Sequence, residues 1–176
     1  MTRRGCRAAG LLGAMWLSIG AVAVAADQSQ RAAVSATHEE GVVTLRARGT
    51  FEVKLTPEAP DGTPTDSALG RLKMVKQFRG DLEGSSRGQM LTSMTPVEGS
   101  AGYVAIERVS GTLNGRAGTF VLQHSGTMSG GKQHLIIAVV PDSGTGEIVG
   151  LAGQMIITIA NGKHSYELEY TLATGP

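Results

Sequence analysis

The fold is decided by residues 103–127, YVAIERVSGTLNGRAGTFVLQHSGT, in which two alternating runs flank the pair Asn114-Gly115. Asn-Gly suits a two-residue hairpin turn, because both central positions need positive φ and these residues adopt it at low cost. Such a turn also fixes the register, since Leu113 must then face Arg116 and the pairing continues outward along both strands. The stretch therefore predicts two antiparallel strands over 103–113 and 116–127.

The register assigns the side chains of this hairpin to two walls, because residues that face each other lie on the same side of a sheet. One wall carries Tyr103, Glu107, Val109, Phe120, Leu122 and His124. The other carries Val104, Ile106, Arg108, Val121, Gln123 and Ser125. Glu107 and His124 become diagonal neighbours on their wall, within reach of each other.

A second Asn-Gly pair, Asn161-Gly162, predicts a hairpin of strands 154–160 and 163–172. Its apolar wall is the clearer of the two and is the predicted core face. That wall carries Met155, Ile157, Ile159, His164, Tyr166, Leu168 and Tyr170.

Further strands are predicted over 50–55, 71–79, 89–95 and 133–140, where apolar residues alternate or run together. The proline-rich stretch 57–67 predicts a loop. The run 84–88, GSSRG, matches the nucleophile elbow G-x-S-x-G, but a strand-like run rather than a helix follows it, so we predict a turn there. The count is eight strands with short connections. It predicts an all-β fold, an eight-stranded antiparallel up-and-down barrel, whose interior is filled by side chains or holds one small ligand.

The N-terminal residues 1–26 have the pattern of a secretory signal peptide. Three arginines come first, residues 8–24 form an apolar stretch without charge, and Ala23-Val24-Ala25 supplies the small-x-small cleavage pattern just before Asp27. The alternative is an uncleaved anchor, but the stretch is rich in Ala and Gly and is short for a membrane span. We therefore expect an exported chain without a stable membrane span after cleavage, with a flexible leader at 27–43 and the barrel domain at 44–176.

The composition of the mature chain excludes several kinds of site. The only cysteine, Cys6, lies in the signal peptide, so no disulfide, thiol nucleophile or cysteine metal site is expected. Without the three N-terminal arginines, 13 basic and 15 acidic residues remain, a net charge of 13 − 15 = −2. Neither a basic patch nor enough aromatic residues for nucleic-acid binding is present. The four histidines lack metal-ligand spacing, so we expect neither a metal nor a cofactor.

A polar cluster follows if the wall with Phe120 and Leu122 faces inward. Glu107 and His124 would then lie among apolar side chains, and Lys76, between Met74 and Phe78 on its own strand, would join them, with Tyr103 as a further candidate. Buried charges need partners or they become neutral. Such a cluster could carry protons as acid and base, or it could be a structural network that fixes strand register. The opposite wall, with Ile106 and Val121, keeps open the alternative that the cluster faces solvent.

Much of the mature chain resembles an uncharacterised bacterial family, domain-of-unknown-function family thirty-two twenty-four. The resemblance is carried by residues 49–53, 76–82, 102–113, 118–124, 141–146 and 166–172. It implies an eight-stranded barrel similar to allene oxide cyclase, which agrees with the strand count. It implies no activity, because similarity of fold to a cyclase is analogy only.

Three functions remain open from the residues. The first is a non-enzymatic barrel that binds a small, mostly apolar molecule in its interior. The second is an isomerase or cyclase-like enzyme acting on a lipid-like substrate, with Glu107 and His124 as catalytic proton carriers. The third is a structural module, packed solid, that self-associates into a homo-oligomer. Candidate ligand-binding residues are Lys76, Tyr103, Glu107, Phe120, His124 and Tyr166.

Overall fold

Each strand of the protein pairs with the next one along the chain, and the last pairs with the first. The computed structural model describes residues 43–58 and 69–173. The strands are β1 Leu45–Pro57, β2 Leu69–Gly80, β3 Leu82–Met94, β4 Ala101–Leu113, β5 Arg116–Ser129, β6 Lys132–Val139, β7 Leu151–Ala160 and β8 Lys163–Leu172. All neighbours are antiparallel and β8 closes onto β1. The predicted all-β, closed eight-stranded barrel is confirmed.

Three predictions about other segments fall partly or wholly outside the described residues. The signal peptide 1–26 lies outside them, as do nearly all of the leader 27–43 and most of the loop 57–67. Within the described ranges, no helix is long and apolar enough to cross a bilayer.

Both Asn-Gly hairpins have the predicted turns and registers. Asn114 and Asn161 have φ of 47° and 52°, and the glycine after each is also at positive φ. In the first hairpin Leu113 faces Arg116, and Glu107 faces Leu122. The local turn chemistry therefore sets which side chains share a wall over four of the eight strands.

The predicted turn at 84–88 is wrong, because these residues lie within β3. Strands β2 and β4 pair with β3 on its two sides, and that tertiary pairing overrides the turn preference of Gly and Ser. Gly88 also allows a close approach of backbones. A Cβ at this position would lie 2.4 Å from the carbonyl oxygen of Ile106.

The inward walls are the ones predicted for the two hairpins. Side chains alternate between buried and exposed along β4 and β5, with Val109, Phe120 and Leu122 in the core. Ile106, on the opposite wall, is 53% exposed. The alternative that Glu107 and His124 face solvent is therefore excluded.

One end of the barrel is filled by large side chains and tied by tyrosine hydroxyls. The fully buried residues at this end include Leu82, Leu113, Leu151, Leu168 and Tyr170. The Tyr166 hydroxyl accepts a hydrogen bond from the Leu82 amide at 2.9 Å, and the Tyr170 hydroxyl accepts one from the Asn114 side chain at 2.8 Å. We call this the packed end.

Candidate functional site

Four successive strands each direct one polar side chain to the same place inside the barrel. Lys76 comes from β2, Ser86 from β3, Glu107 from β4 and His124 from β5, and all four are buried. Each side chain points into the barrel, and the residues two positions before and after it on the same strand, which also point inward, are apolar or small. We call these four residues the charge cluster.

Glu107 is the centre of the charge cluster and is completely buried. The Lys76 ammonium Nζ donates to its Oε2 at 2.7 Å, and the Ser86 hydroxyl donates to its Oε1. His124 Nε2 lies 2.9 Å from the same Oε2, which is ion-pair distance. The direction of the imidazole nitrogen nevertheless misses the oxygen, so Nε2 has no hydrogen-bond partner among the described residues.

The surroundings of Glu107 keep its carboxylate ionised. Burial raises its pKa, but the contacts with His124, Lys76 and Ser86 together outweigh burial and lower the pKa to about 2. At neutral pH the group is therefore an anion held by its neighbours. An anion of such low basicity does not take up a proton readily near neutral pH.

The Lys76 ammonium has donors to spare. Its three N–H groups have one hydrogen-bond acceptor, Glu107, within the described part of the chain. The ammonium also lies near two aromatic rings, with Nζ 5.0 Å from the ring centre of Phe51 and 5.7 Å from that of Phe78. Cation–π contacts stabilise the ammonium without using up its directed N–H donors.

A cavity of about 240 Å³ lies above the charge cluster, at the barrel end opposite the packed end, and we call it the mouth cavity. Its lining residues are Phe51, Val53, Leu55, Met74, Lys76, Met90, Tyr103, His124, Gln133, Leu135, Ile157, Ile159 and His164. The buried members, among them Met74, Lys76 and His124, form its floor. The exposed members, Leu55, Gln133 and Ile159, form its rim.

The structure separates the six candidate ligand-binding residues into three groups. Lys76, His124 and Tyr103 line the mouth cavity. Glu107 lies beneath its floor, in contact with Lys76 and His124. Phe120 and Tyr166 belong to the buried core and are not among the lining residues.

Tyr103 lines the wall of the cavity rather than joining the charge cluster. Burial raises the pKa of its hydroxyl, so it is neutral at physiological pH. Within the described residues, no hydrogen bond joins that hydroxyl to Glu107 or Lys76. Tyr103 is thus available to a ligand as a neutral donor or acceptor.

Sequence reasoning missed Ser86 as a member of the charge cluster. Its neighbours Gly84 and Gly88 suggest a turn, and that prediction removed Ser86 from any wall. Strand alternation could have identified it. Leu82, Ser86 and Met90 are an even number of residues apart on β3, so their side chains lie on the same, inward side of the strand. Small residues beside Ser86 leave room for the carboxylate of Glu107.

The charge cluster is not arranged as a metal site. Within residues 43–58 and 69–173, no three His, Cys, Asp or Glu side chains come together in a way that could hold a metal ion. One carboxylate and one imidazole are too few ligands for a stable site, and Lys76 occupies the position where a cation would bind.

The family model described as "Protein of unknown function (DUF3224)" matches residues 47–170, which include the whole charge cluster. The chain belongs to the DUF3224 family. A crystal structure of a protein with unknown function from the DUF3224 family of Shewanella oneidensis MR-1 is similar to it, with 49% identity and a TM-score of 0.71. The match covers 76% of this chain and 100% of the solved chain. A search of curated proteins found no match.

Membership in DUF3224 confirms the resemblance inferred from the sequence. The family description assigns no activity, and the solved relative is likewise described as having unknown function. Function must therefore be argued from the charge cluster and the mouth cavity of this barrel.

Proposed function

We propose that this DUF3224 barrel binds a small, mostly apolar molecule in its mouth cavity without transforming it. The observation that supports the proposal is the cavity itself, whose wall is largely Val, Leu, Ile, Met and Phe with a few polar groups at the floor. A concave apolar site with a few converging polar groups is the usual form of a small-molecule site.

The size of the cavity limits the ligand. Its volume of about 240 Å³ equals that of roughly eight liquid waters at about 30 Å³ each. This is slightly less than the roughly 300–1,000 Å³ typical of sites for drug-sized molecules. The ligand is therefore small, or only one end of it enters the barrel.

The enzyme alternative has less support from the geometry. A general base must reach the proton that it removes and should have a pKa near the working pH. Glu107 is shielded from the cavity by Lys76 and His124, and its pKa is about 2. Of the two proposed proton carriers, only His124 lines the cavity, and one imidazole without an accessible carboxylate is a weak basis for an isomerase.

The proposal includes a location outside the cytoplasm, supported by the signal-peptide pattern of residues 1–26. The chain recovered from the periplasm or medium of expressing cells is expected to begin at Asp27, as measured by intact mass. Recovery of the full-length chain from the cytoplasm would contradict this part of the proposal.

Two neighbouring isoleucines on β7 provide a matched test of ligand binding. Ile157 lines the mouth cavity, whereas Ile156 is exposed on the outer wall. Ile157→Trp should fill the cavity and abolish binding of 1-octanol, and Ile156→Trp should leave binding as in the wild type. Native mass spectrometry and calorimetry of the three proteins measure this, with circular dichroism to confirm folding.

Binding that survives Ile157→Trp would place the ligand elsewhere and overturn the proposal. A molecule that copurifies with the wild type and with Ile156→Trp, but not with Ile157→Trp, would identify the natural ligand's chemical class.

A further inference from the structure

We infer that the ligand enters the mouth cavity head first and is an amphiphile whose inner end is a carboxylate, held by Lys76 and His124. This inference rests on the proposed function, because it assigns the ligand's class and its orientation in the same cavity.

The orientation follows from the order of side chains along the cavity. The polar side chains of Lys76 and His124 are at the floor, each less than 5% exposed. Apolar Leu55 and Ile159 are at the rim, and Leu135 and Ile157 line the wall. A molecule with its polar group outward would press its tail against the ammonium of Lys76. The opposite orientation places each part of an amphiphile against matching groups.

The charge of the ligand's head group follows from the charges of the residues that line the cavity. No Asp or Glu is among the lining residues, whereas Lys76, His124 and His164 are. The one acidic group nearby, Glu107, lies behind the floor and contacts the cavity only through its partners. A cationic head would face the Lys76 ammonium directly, without an accessible anion to offset it.

Unused donors at the floor indicate an acceptor on the ligand. Two N–H groups of Lys76 have no acceptor in the described part of the chain. His124 Nε2 lies 2.9 Å from Glu107 Oε2, but the two atoms form no hydrogen bond. Buried donors usually have partners, so these mark a place for an oxygen acceptor. A carboxylate accepts stronger hydrogen bonds than a neutral oxygen. Because Glu107 already neutralises part of the Lys76 charge, a carboxylate head group should bind only moderately tighter than a neutral one.

Three ligands of equal chain length test the head group on the wild-type protein. Calorimetry with octanoate, 1-octanol and octylammonium should give the tightest binding for octanoate, about fivefold tighter than 1-octanol, and the weakest for octylammonium. Binding of 1-octanol as tight as octanoate, or of octylammonium tighter than either, would overturn the carboxylate inference but leave the proposed function standing. Failure of all three to bind would overturn both.

A double variant tests the residues. Lys76→Met alone leaves Glu107 charged and unpaired, so it is combined with Glu107→Gln, which removes both charges and preserves the side-chain shapes. The ratio of octanoate affinity to 1-octanol affinity, measured in the same variant, should fall from about fivefold to less than twofold, because only His124 remains to favour the carboxylate. A ratio that stays near fivefold would show that the head group binds elsewhere and would overturn the inference.

Nuclear Overhauser contacts of bound octanoate test the orientation. The terminal methyl group should contact the methyl groups of Leu55 and Ile159 at the rim. Contacts with Met74 at the floor instead would mean the reverse orientation and would overturn the inference.

Discussion

Lys76 and Glu107 place two opposite charges inside the barrel, where either charge alone would be costly. Their short contact, the Ser86 hydroxyl and the ring of Phe51 together compensate for the loss of hydration. The pair therefore fixes the relation of β2 to β4 across the intervening strand β3. A ligand bound above the pair would accept hydrogen bonds from the Lys76 N–H groups that do not bond Glu107.

Substitutions at the pair should be strongly non-additive. Lys76→Met leaves a buried carboxylate without its cation and should lower the free energy of unfolding by about 3–5 kcal/mol. The double variant Lys76→Met, Glu107→Gln has no unpaired charge and should be within about 2 kcal/mol of the wild type, because a buried pair is often replaced by neutral groups at little cost. Urea unfolding measures both. A double variant less stable than Lys76→Met would contradict the pairing.

Glu107 should make the stability of the barrel depend on pH in the acidic range. Its pKa is lowered from 4.5 in the unfolded chain to about 2 in the folded one, so between these values the unfolded state binds more protons. The carboxylate therefore contributes about 3 kcal/mol above pH 4.5, and this contribution is lost as the pH falls toward 2. Unfolding of the wild type and of Glu107→Gln from pH 6 to pH 2 isolates the effect, since the other carboxylates are common to both. Parallel stability curves would contradict it.

At the residue scale, the sequence predicts the contacts that follow from a turn or from clear strand alternation and misses the contact of Ser86, which follows from neither. The register of β4 and β5 is set by Asn114-Gly115, so Glu107 and His124 could be placed side by side. Lys76 was placed by strand phase alone. Ser86 could not be placed, because glycines on both sides conceal the alternation of its strand.

Among the strands, each of the three tyrosines of the chain stands opposite a glycine. Tyr166 faces Gly49, Tyr103 faces Gly126 and Tyr170 faces Gly153 in the registers of three different strand pairs. An aromatic ring can cover the bare backbone of a cross-strand glycine, which stabilises the pair and fixes its register. The ring of Tyr166 lies against Gly49 in this way and carries its hydroxyl to the turn between β2 and β3.

Gly49 should therefore be intolerant of a side chain, whereas Gly102 should accept one. A Cβ at Gly49 would lie 1.9 Å from the Arg79 carbonyl oxygen and 2.6 Å from the Tyr166 hydroxyl. Gly49→Ala should lower the free energy of unfolding by roughly 2–3 kcal/mol. In the control Gly102→Ala, the nearest atom is 3.9 Å away, and stability should be equal or slightly higher. Thermal and urea unfolding check both, and equal effects of the two substitutions would contradict the close packing.

Strand predictions succeeded where the local chemistry agrees with the tertiary structure. The two Asn-Gly hairpins are examples, since the turn and the alternating runs both favour the observed pairing. The segment 84–88 is the opposite case, because its glycines are needed for close approach between β3 and β4 and mimic a turn in the sequence. No rule of local propensity distinguishes these two uses of glycine.

At the scale of the whole molecule, neighbouring strands of the barrel differ in how many of their residues are paired. Within the described residues, β4 is paired along its entire length with both β3 and β5, whereas β6 and β7 share a single pair, Ala138 opposite Gln154. The connection between β6 and β7 instead folds over β5, where Ser143 and Thr145 accept hydrogen bonds from the amides of Val121 and Thr119. Among the described strand pairs, β6 and β7 therefore have the fewest paired residues.

Local opening should begin at that junction. Few ladder hydrogen bonds protect the facing amides of β6 and β7, so peptides covering 133–139 and 151–157 should exchange amide hydrogen faster than the peptide covering 103–113. Hydrogen–deuterium exchange followed by mass spectrometry measures this. Equal protection of the three peptides would mean that the barrel opens only as a whole.

The eight-stranded closure was predictable from the even number of strands and their short connections, but the mouth cavity was not. Its volume depends on the sizes of side chains from all eight strands and on where large residues such as Tyr170 and Phe120 fill the packed end. The sequence gives the phase of each strand, whereas the free space is set by how all of them pack together.

The most direct test of the account is a methyl spectrum of isoleucine-labelled mature protein during a titration with octanoate. Ile157 and Ile159 line the mouth cavity, whereas Ile106, Ile136 and Ile156 are exposed on the outer wall. We predict saturable shifts of the Ile157 and Ile159 methyl signals and none for the three outer residues. Shifts confined to the outer residues, or no shifts at all, would contradict it.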